Sequence, residues 1–437
     1  VRKELRTSPR LEFFTKTAIL TDRFWILLIV SVLSLIGITM VFNSVQWQTE
    51  GCENVKYNFL KHVINIIIGF FLLWIAARID YRKYKKFASP LLIFQFCLLI
   101  LTLIPGIGKE IAGSRRWIMI PSALYIEPAE LAKMTIVICL SVFLAKRTHR
   151  ISNVFVLLPC FFVLFLMLTL LFMEPHLSAV TMVSLLTILL LFTARVRHLF
   201  LFVFPFLFIQ IIIFSVPYRA ARIMSFLDPW EDSMGAGFQL IQAQIALGSG
   251  GFYGVGLGNS IQKLGYLPDI AKGFIFALIG EELGFLGAFS VIVLFVSLAI
   301  IGYGIALRSR DLLGKLLAVG TTSYISYQAL IHIGIVTGFI PGTRFALPFI
   351  SYGAEVLWCS FFSIGILLNV SYATNKELVI FHKRKILAGS IVEKGEMLKK
   401  YFEKFVKSTL YKAFIFIATV MSFIVAMLTM FKWFGKK

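Results

Sequence analysis

The sequence predicts an all-α, polytopic integral membrane protein: a ten-helix bundle with an eleventh apolar stretch near the C-terminus. Three observations lead there. Of 437 residues, 59% are hydrophobic and 15% charged, against roughly 45–50% and about 25% in soluble domains. The apolar residues gather in runs of about 20, the helix length that roughly 30 Å of hydrocarbon requires. Basic residues recur in alternate loops, as short cytoplasmic loops demand.

The ten runs lie at about Phe24–Phe42, Leu60–Ala77, Ser89–Ile107, Ile126–Ala145, Val154–Met173, Leu177–Ala194, Leu199–Val216, Leu283–Leu307, Leu316–Phe339 and Ala346–Val370. Arg2, Lys3, Arg6, Arg10, Lys16 and Arg23 precede the first. No small-residue cleavage site closes that run, so it reads as an uncleaved anchor. Residues 1–23 are then a basic cytoplasmic N-terminus, and 24–372 the transmembrane domain.

The cytoplasmic set of loops carries Arg78/Arg82/Lys83/Lys85/Lys86, Lys146/Arg147/Arg150, Arg195/Arg197, Arg308/Arg310/Lys315 and Lys376/Lys383/Arg384/Lys385. The net charge of +21 thus sets topology and does not call for nucleic acid. Two loops on the opposite side break the rule. Ile107–Tyr125 carries Lys109, Arg115 and Arg116; the long loop 217–273 carries Arg219, Arg222, Lys263 and Lys272. An anionic ligand on the outer face would account for them, as would simple translocation of charged loops.

Residues 373–409 form a basic cytoplasmic linker in which lysines alternate with apolar residues, a pattern suited to an interfacial helix on anionic lipid. Residues 410–437 hold the eleventh stretch, Ala413–Met430, read as an extra transmembrane helix or an appendage. Of five cysteines, Cys97, Cys139, Cys160 and Cys359 sit inside apolar runs and Cys52 stands alone in a polar loop, so no disulfide framework emerges.

Charges within membrane spans are costly and usually functional. Glu130 and Lys133 stand i,i+3 at the start of the fourth run, behind Glu127-Pro128, and share a helix face. They suit a substrate site or a packing ion pair. Glu174-Pro175-His176 forms a short turn between the fifth and sixth runs. Glu281 and Glu282 are adjacent carboxylates at a helix mouth, which repel unless one finds a cation or a proton. Ser351-Tyr352-Gly353 and Glu355 lie within the tenth run. In the long loop, Gly248-Ser249-Gly250-Gly251 and Gly254-Val255-Gly256-Leu257-Gly258 permit positive φ and close backbone approach to a ligand. With no βαβ context they do not make a dinucleotide site.

Together these residues resemble the RodA/FtsW-type family of shape, elongation, division and sporulation (SEDS) proteins. Gly113-Ser114-Arg115-Arg116-Trp117-Ile118 is similar to its Gly-Ala-x-Arg-Trp-Ile element. Glu127-Pro128-Ala129-Glu130 with Lys133 resembles Gln-Pro-Ser-Glu followed by Lys, and Glu174-Pro175-His176-Leu177 resembles Gln-Pro-Asp-Leu. Asp228-Pro229-Trp230, Gly256-Leu257-Gly258-Asn259-Ser260, Glu281-Glu282-Leu283-Gly284 and Leu347-Pro348-Phe349-Ile350-Ser351-Tyr352-Gly353 extend the likeness over roughly residues 20–375. The Asp-Pro-Trp and Gly-Leu-Gly-x-Ser elements lean to the division (FtsW-like) type.

The resemblance implies a ten-helix SEDS-type bundle and a peptidoglycan glycosyltransferase. Such an enzyme polymerises lipid II, an undecaprenyl-pyrophosphate-linked disaccharide pentapeptide, at the outer face of the bacterial inner membrane. It works beside a class B penicillin-binding protein and other divisome or elongasome membrane proteins. Arg116, Trp117, Glu130, Lys133, Arg219, Lys263, Ser351 and Tyr352 are the substrate-binding residues it implies. Cations on that side suit a departing pyrophosphate, and a divalent cation (Mg or Mn) bridging pyrophosphate and carboxylate is expected. The acceptor hydroxyl needs a carboxylate base.

At the base the sequence departs from the family. The essential aspartate of a Thr-Asp-Phe triplet falls on Gly273, in Lys272-Gly273-Phe274. Ser-Tyr-Gly-Gly-Ser-Ser becomes Ser351-Tyr352-Gly353-Ala354-Glu355-Val356, His332 replaces an asparagine and Arg344 a glycine. Three readings follow. The enzyme is active with a relocated acid: Asp269, one helical turn before Gly273, with Glu282 as the second catalytic candidate and Glu355 behind it. Or it is a catalytically impaired scaffold that binds lipid II or the transpeptidase. Or it moves a lipid-linked precursor across the membrane.

Overall fold

The computed structural model describes residues 9–48, 52–111, 114–120, 124–148, 154–174, 176–196, 226, 228–235, 237–340 and 345–387. They divide between two compact units, Ala18–Thr374 and the terminal segments Val1–Thr17 with Asn375–Lys437. Ala18–Thr374 holds every described strand and most of the helical residues. The seventh predicted span, Arg219, Arg222, Arg344 and the eleventh stretch lie outside the described residues.

Eleven α-helices and three strands are described. α1 (Pro9–Gln48), α2 (Cys52–Arg78) and α3 (Tyr84–Leu103) lead into β1 (Gly108–Ile111), β2 (Ser114–Ile120) and β3 (Leu124–Ile126). Then come α4 (Pro128–Lys146), α5 (Val154–Met173), α6 (Leu177–Thr193), α7 (Phe238–Ser249), the short α8 (Ile270–Gly273), α9 (Ile275–Arg308), α10 (Leu312–Val336) and α11 (Ala354–Leu387). Among the described residues seven helices are long and apolar enough to cross a membrane. Nine of the ten predicted spans coincide with described helices.

Several boundaries follow from local chemistry. α3 ends at an extended Ile104 ahead of Pro105. Pro128 opens α4 at its first turn, where its missing N–H costs nothing. The Asp311 side chain accepts from Gly314 N at 3.1 Å and caps α10. α10 ends before Gly338, whose φ of +73° suits a helix C-terminus.

The central helix is α10. Its residues are buried almost throughout, including Thr321, Thr322, Ser323, Gln328 and His332. A helix surrounded by protein can carry small and polar residues that a lipid-facing helix cannot. By contrast α1, α2 and α3 expose Phe24, Trp25, Leu35, Phe71, Trp74, Phe87 and Phe94, the side chains expected against acyl chains.

The structure revises the sequence reading at three places. β1, β2 and β3 form a small antiparallel sheet in that order, pairing Lys109 with Trp117 and Ile118 with Ile126. The all-α class therefore holds for the bundle, with this sheet added at one end. α9 begins at Ile275, so Glu281 and Glu282 lie inside a helix. Ser351, Tyr352 and Gly353 lie in turns ahead of α11 and not within the tenth span.

Candidate functional site

The polar residues that stand out in the sequence gather at one end of the bundle, where α1, α3, α5 and α10 finish and α2, α4, α6, α9 and α11 begin. The opposite end is closed by other contacts. Tyr81 OH donates to Asp311 Oδ1 at 2.9 Å, and Arg308 Nη2 to Asp22 Oδ2 at 2.5 Å.

The sheet sorts its two arginines by strand alternation. Arg115 pairs across to exposed Glu110 at 3.0 Å. Arg116 points the other way and donates from Nε to the Glu174 carbonyl at 3.2 Å. Trp117, also half-buried, follows it on β2. Glu174 is fully buried; Thr102 Oγ1 donates to its Oε1, and its Oε2 has no partner. Burial pushes its pKa up to about 7, opposed by the Thr102 hydrogen bond, reinforced by the charge of Glu127 and opposed by that of Arg116.

Glu127 and His176 meet at 2.5 Å between Oε1 and Nε2. The Glu127 N–H donates to Glu355 Oε1 at 3.2 Å. One turn into α4, Lys133 Nζ lies 2.5 Å from Glu130 Oε1, with both side chains buried. Lys133 also sits 5.8 Å over the Phe345 ring. The predicted i,i+3 pair is thus a closed ion pair, although Glu130 Oε2 remains unpartnered.

Lys263 and Glu282 form a second buried pair at 3.3 Å. Lys263 Nζ also donates to the Gly258 carbonyl, and Asn43 Nδ2 donates to Glu282 Oε2 at 2.8 Å. Both residues are about 2% exposed or less. A carboxylate so enclosed and neutralised is placed to hold the fold; it is not placed to take a proton from a substrate. The adjacent Glu281 accepts from Ser260 Oγ and from the Ile261 N–H at 2.9 Å. The two carboxylates avoid mutual repulsion because each has its own donors.

The glycine-rich run is occupied by backbone and not by an open ligand cradle. Val255 N donates to the Glu281 carbonyl at 3.0 Å, Gly256 N to Glu282 at 3.1 Å, and Phe285 N to the Gly251 carbonyl at 2.9 Å. Gly284 breaks the helical conformation inside α9, with φ +68° and ψ −165°. A Cβ on Gly254 would lie 2.2 Å from the Glu282 carbonyl oxygen, and one on Gly284 would lie 2.2 Å from the Gly254 nitrogen. The close approach inferred from these glycines is real, but the partner is the kinked start of α9.

Gly273 closes α8. Its N–H donates to the Asp269 carbonyl at 3.0 Å, so Asp269 does stand one turn earlier. Asp269 is the N-cap, partly exposed, with φ +54°. α8 docks on the turn before α11: Tyr352 N donates to the Ala271 carbonyl at 2.9 Å and Ser351 Oγ to the Lys272 carbonyl at 2.9 Å. Ser351 Oγ also accepts from Leu347 N at 2.7 Å. Ser351 is therefore a backbone fastener here. Tyr352 lies beside His62, ring centroids 5.8 Å apart, and beneath Lys272 Nζ at 5.9 Å.

No sequence signal singles out Asn43, Thr102 or His62. Asn43 meets Glu282 across 239 residues and His62 meets Tyr352 across more, and nothing local announces such pairs. Among the described residues no three His, Cys, Asp or Glu side chains are grouped to hold a metal ion.

Comparison with known proteins completes the picture. The family model for FtsW, RodA and SpoVE, described as a cell cycle protein, matches residues 23–376. A relative from Geobacter metallireducens, named probable peptidoglycan glycosyltransferase FtsW, is 36% identical over 353 residues, covering 79% of this chain and 93% of its own. Stage V sporulation protein E of Bacillus subtilis is 38% identical over 358 residues, covering 79% and 96%. Two solved structures share the fold. A chain from a study of polymerization and crosslinking by a peptidoglycan synthase complex has a TM-score of 0.65 at 24% identity, over 80% of this chain and 97% of its own. The Thermus thermophilus rod shape determining protein RodA has a TM-score of 0.57 at 20% identity, over 79% and 95%. A bundle of apolar helices with its buried charges gathered at one end, matched along residues 23–376, is a multi-pass membrane protein, and the chain belongs to the FtsW/RodA/SpoVE family.

Proposed function

We propose that the protein is a peptidoglycan glycosyltransferase that polymerises lipid II into glycan strands at the outer face of the bacterial inner membrane, in cell division or cell-shape maintenance. The carrying observation is the reach of the likeness. It extends, at 36–38% identity, over 93–96% of relatives that include one named as such an enzyme, and its span includes every described polar residue at this end of the bundle. With the N-terminus cytoplasmic, as the basic loops require, that end faces outward, where a lipid-linked substrate presents its sugar and pyrophosphate.

The residues divide the work. Arg116, half-buried on β2, acts with its charge on the carboxylate of Glu127 and is the cation assigned to the departing pyrophosphate, while Lys133, closed on Glu130, adds its field from within the bundle. Tyr352 offers ring surface under Lys272 Nζ, and half-buried Trp117 follows Arg116 on β2. Lys263, spent on Glu282, fixes the loop that frames the site. A divalent cation, Mg or Mn, would draw its ligands chiefly from the pyrophosphate. A class B penicillin-binding protein is the proposed partner, taking the new strand for crosslinking.

The test is glycan synthesis from purified lipid II by the full-length protein, free of other glycosyltransferases. Polymer is expected; its absence at saturating substrate would refute the enzymatic reading. Gly273 in place of the family's aspartate favours the second reading, an impaired lipid II-binding scaffold. Under that reading the wild type makes no glycan and Gly273→Asp gains activity.

A further inference from the structure

The carboxylates at this end of the bundle are not equivalent. Glu281 and Glu282 are enclosed and take hydrogen bonds from neighbouring donors. Glu130 is buried against Lys133. Glu174 is fully buried. The side chain of Glu127 is 21% exposed, and among the described residues its Oε2 takes no hydrogen bond, while Oε1 is held by His176.

The His176 ring is itself oriented. Its Nδ1 accepts from the Ala179 N–H at 3.1 Å, so the ring's proton is on Nε2 and points at Glu127. With Nδ1 taken up by the Ala179 N–H, the ring turns its Nε2 to Glu127 as a fixed donor. It steadies one carboxylate oxygen and leaves the other to a ligand. Glu355 Oε1 accepts the Glu127 N–H at 3.2 Å and fixes the backbone on the other side. The cluster is not a closed ion network either: beside it, the buried Oε2 atoms of Glu174 and Glu130 lack partners.

Under the glycosyltransferase reading its place suits the substrate. The charges of Arg116 and Lys133 both act on Glu127. Glu355 stands three residues after Tyr352, whose N–H is fastened to the turn that ends at Gly273. Glu127, Glu174, His176 and Glu355 differ from the motifs that the sequence otherwise resembles, and the first and last of them meet through the Glu127 N–H.

We propose that Glu127, positioned by His176, is the proton acceptor of the transfer reaction. The proposal rests on the glycosyltransferase reading. The acceptor sugar hydroxyl gives its proton to Glu127 Oε2 as its oxygen bonds to the donor's anomeric carbon. The bond from that carbon to the pyrophosphate oxygen breaks, and its electron pair leaves with the pyrophosphate. Glu127 is the catalytic residue; His176, held by the Ala179 N–H, is a positioning residue that acts through Glu127.

The experiment is lipid II polymerisation by purified full-length variants, with Tm measured alongside. Glu127→Gln keeps the shape and is expected to lower kcat by roughly 100-fold or more with KM little changed. Gly273→Asp in the Glu127→Gln background is expected to restore turnover, since it returns an acid to the neighbouring turn. His176→Ala lowers kcat about tenfold, and His176→Gln, which retains a donor, restores most of it. Glu110→Gln, in the exposed pair on the sheet, leaves turnover unchanged. Glu127→Gln turning over within threefold of wild type overturns the proposal. So does a loss in Glu127→Gln that Gly273→Asp does not rescue, or a loss confined to Asp269→Asn. If the wild type makes no glycan, the enzymatic reading itself falls, an outcome distinct from wild-type activity that survives Glu127→Gln.

Discussion

Lys263 Nζ lies 3.3 Å from Glu282 Oε1, with both side chains removed from solvent. The pair joins the loop after α7 to the first turns of α9, and Asn43 brings α1 to the same carboxylate. Cutting one partner strands a charge. Glu282→Ala is expected to destabilise the protein by about 3–5 kcal/mol, read as a fall in Tm in detergent. Replacing both, Lys263→Met with Glu282→Leu, should recover much of that loss, because no uncompensated charge remains.

Glu174 gives a pH signature. Burial raises its pKa from 4.5 to about 7 in the folded state. Below pH 4.5 both folded and unfolded forms are protonated and nothing is lost. Between pH 4.5 and 7 the unfolded chain ionises first, so stability falls as pH rises, levelling above 7 at a cost of at most about 3 kcal/mol. Glu174→Gln removes this dependence. Its Tm should exceed that of wild type at pH 8 and match it at pH 4; equal Tm values at pH 8 would contradict the assignment.

Much of the architecture is open to reading in the sequence. The helices follow from runs of apolar residues, because hydrocarbon imposes a length that the chain must declare locally. Polar side chains within those runs, such as Glu130 and Lys133, announce themselves by their cost. The small sheet escapes such a reading because Ser114–Ile120 is brief and pairs only with equally short neighbours. The glycine run declares a capacity for close approach, but its partner, the kinked start of α9, is set by tertiary packing. Glu127–His176 and Glu127–Glu355 join residues 49 and 228 apart, and no periodicity encodes such distances.

Gly254 offers a steric test. Alanine there meets the Glu282 carbonyl and a φ of +85°. The expected cost is about 2 kcal/mol or more. Gly248→Ala, in α7 with nothing within 4 Å of the added methyl, should be neutral or slightly stabilising. Thermal unfolding of the two variants side by side separates steric conflict from a general effect of losing glycine.

Arg116 and Arg115 are neighbours on β2 with opposite duties. Arg116→Ala is expected to lower kcat/KM for lipid II roughly 100-fold if its guanidinium steadies the leaving phosphate, and Arg116→Lys should recover part. Arg115→Ala removes only the exposed pair with Glu110 and should leave kinetics within twofold. Similar losses at both positions would point to damage of the sheet.

The hydrogen-bonded run from Gly251 to Gly256 against Glu281 to Phe285 behaves as a lock with matched teeth. Deleting or inserting one residue on either side would misalign every rung at once and carry Lys263 away from Glu282. Grafting this loop between relatives should therefore succeed only when the opening turns of α9 travel with it, so the two segments form one unit of inheritance despite the residues that separate them.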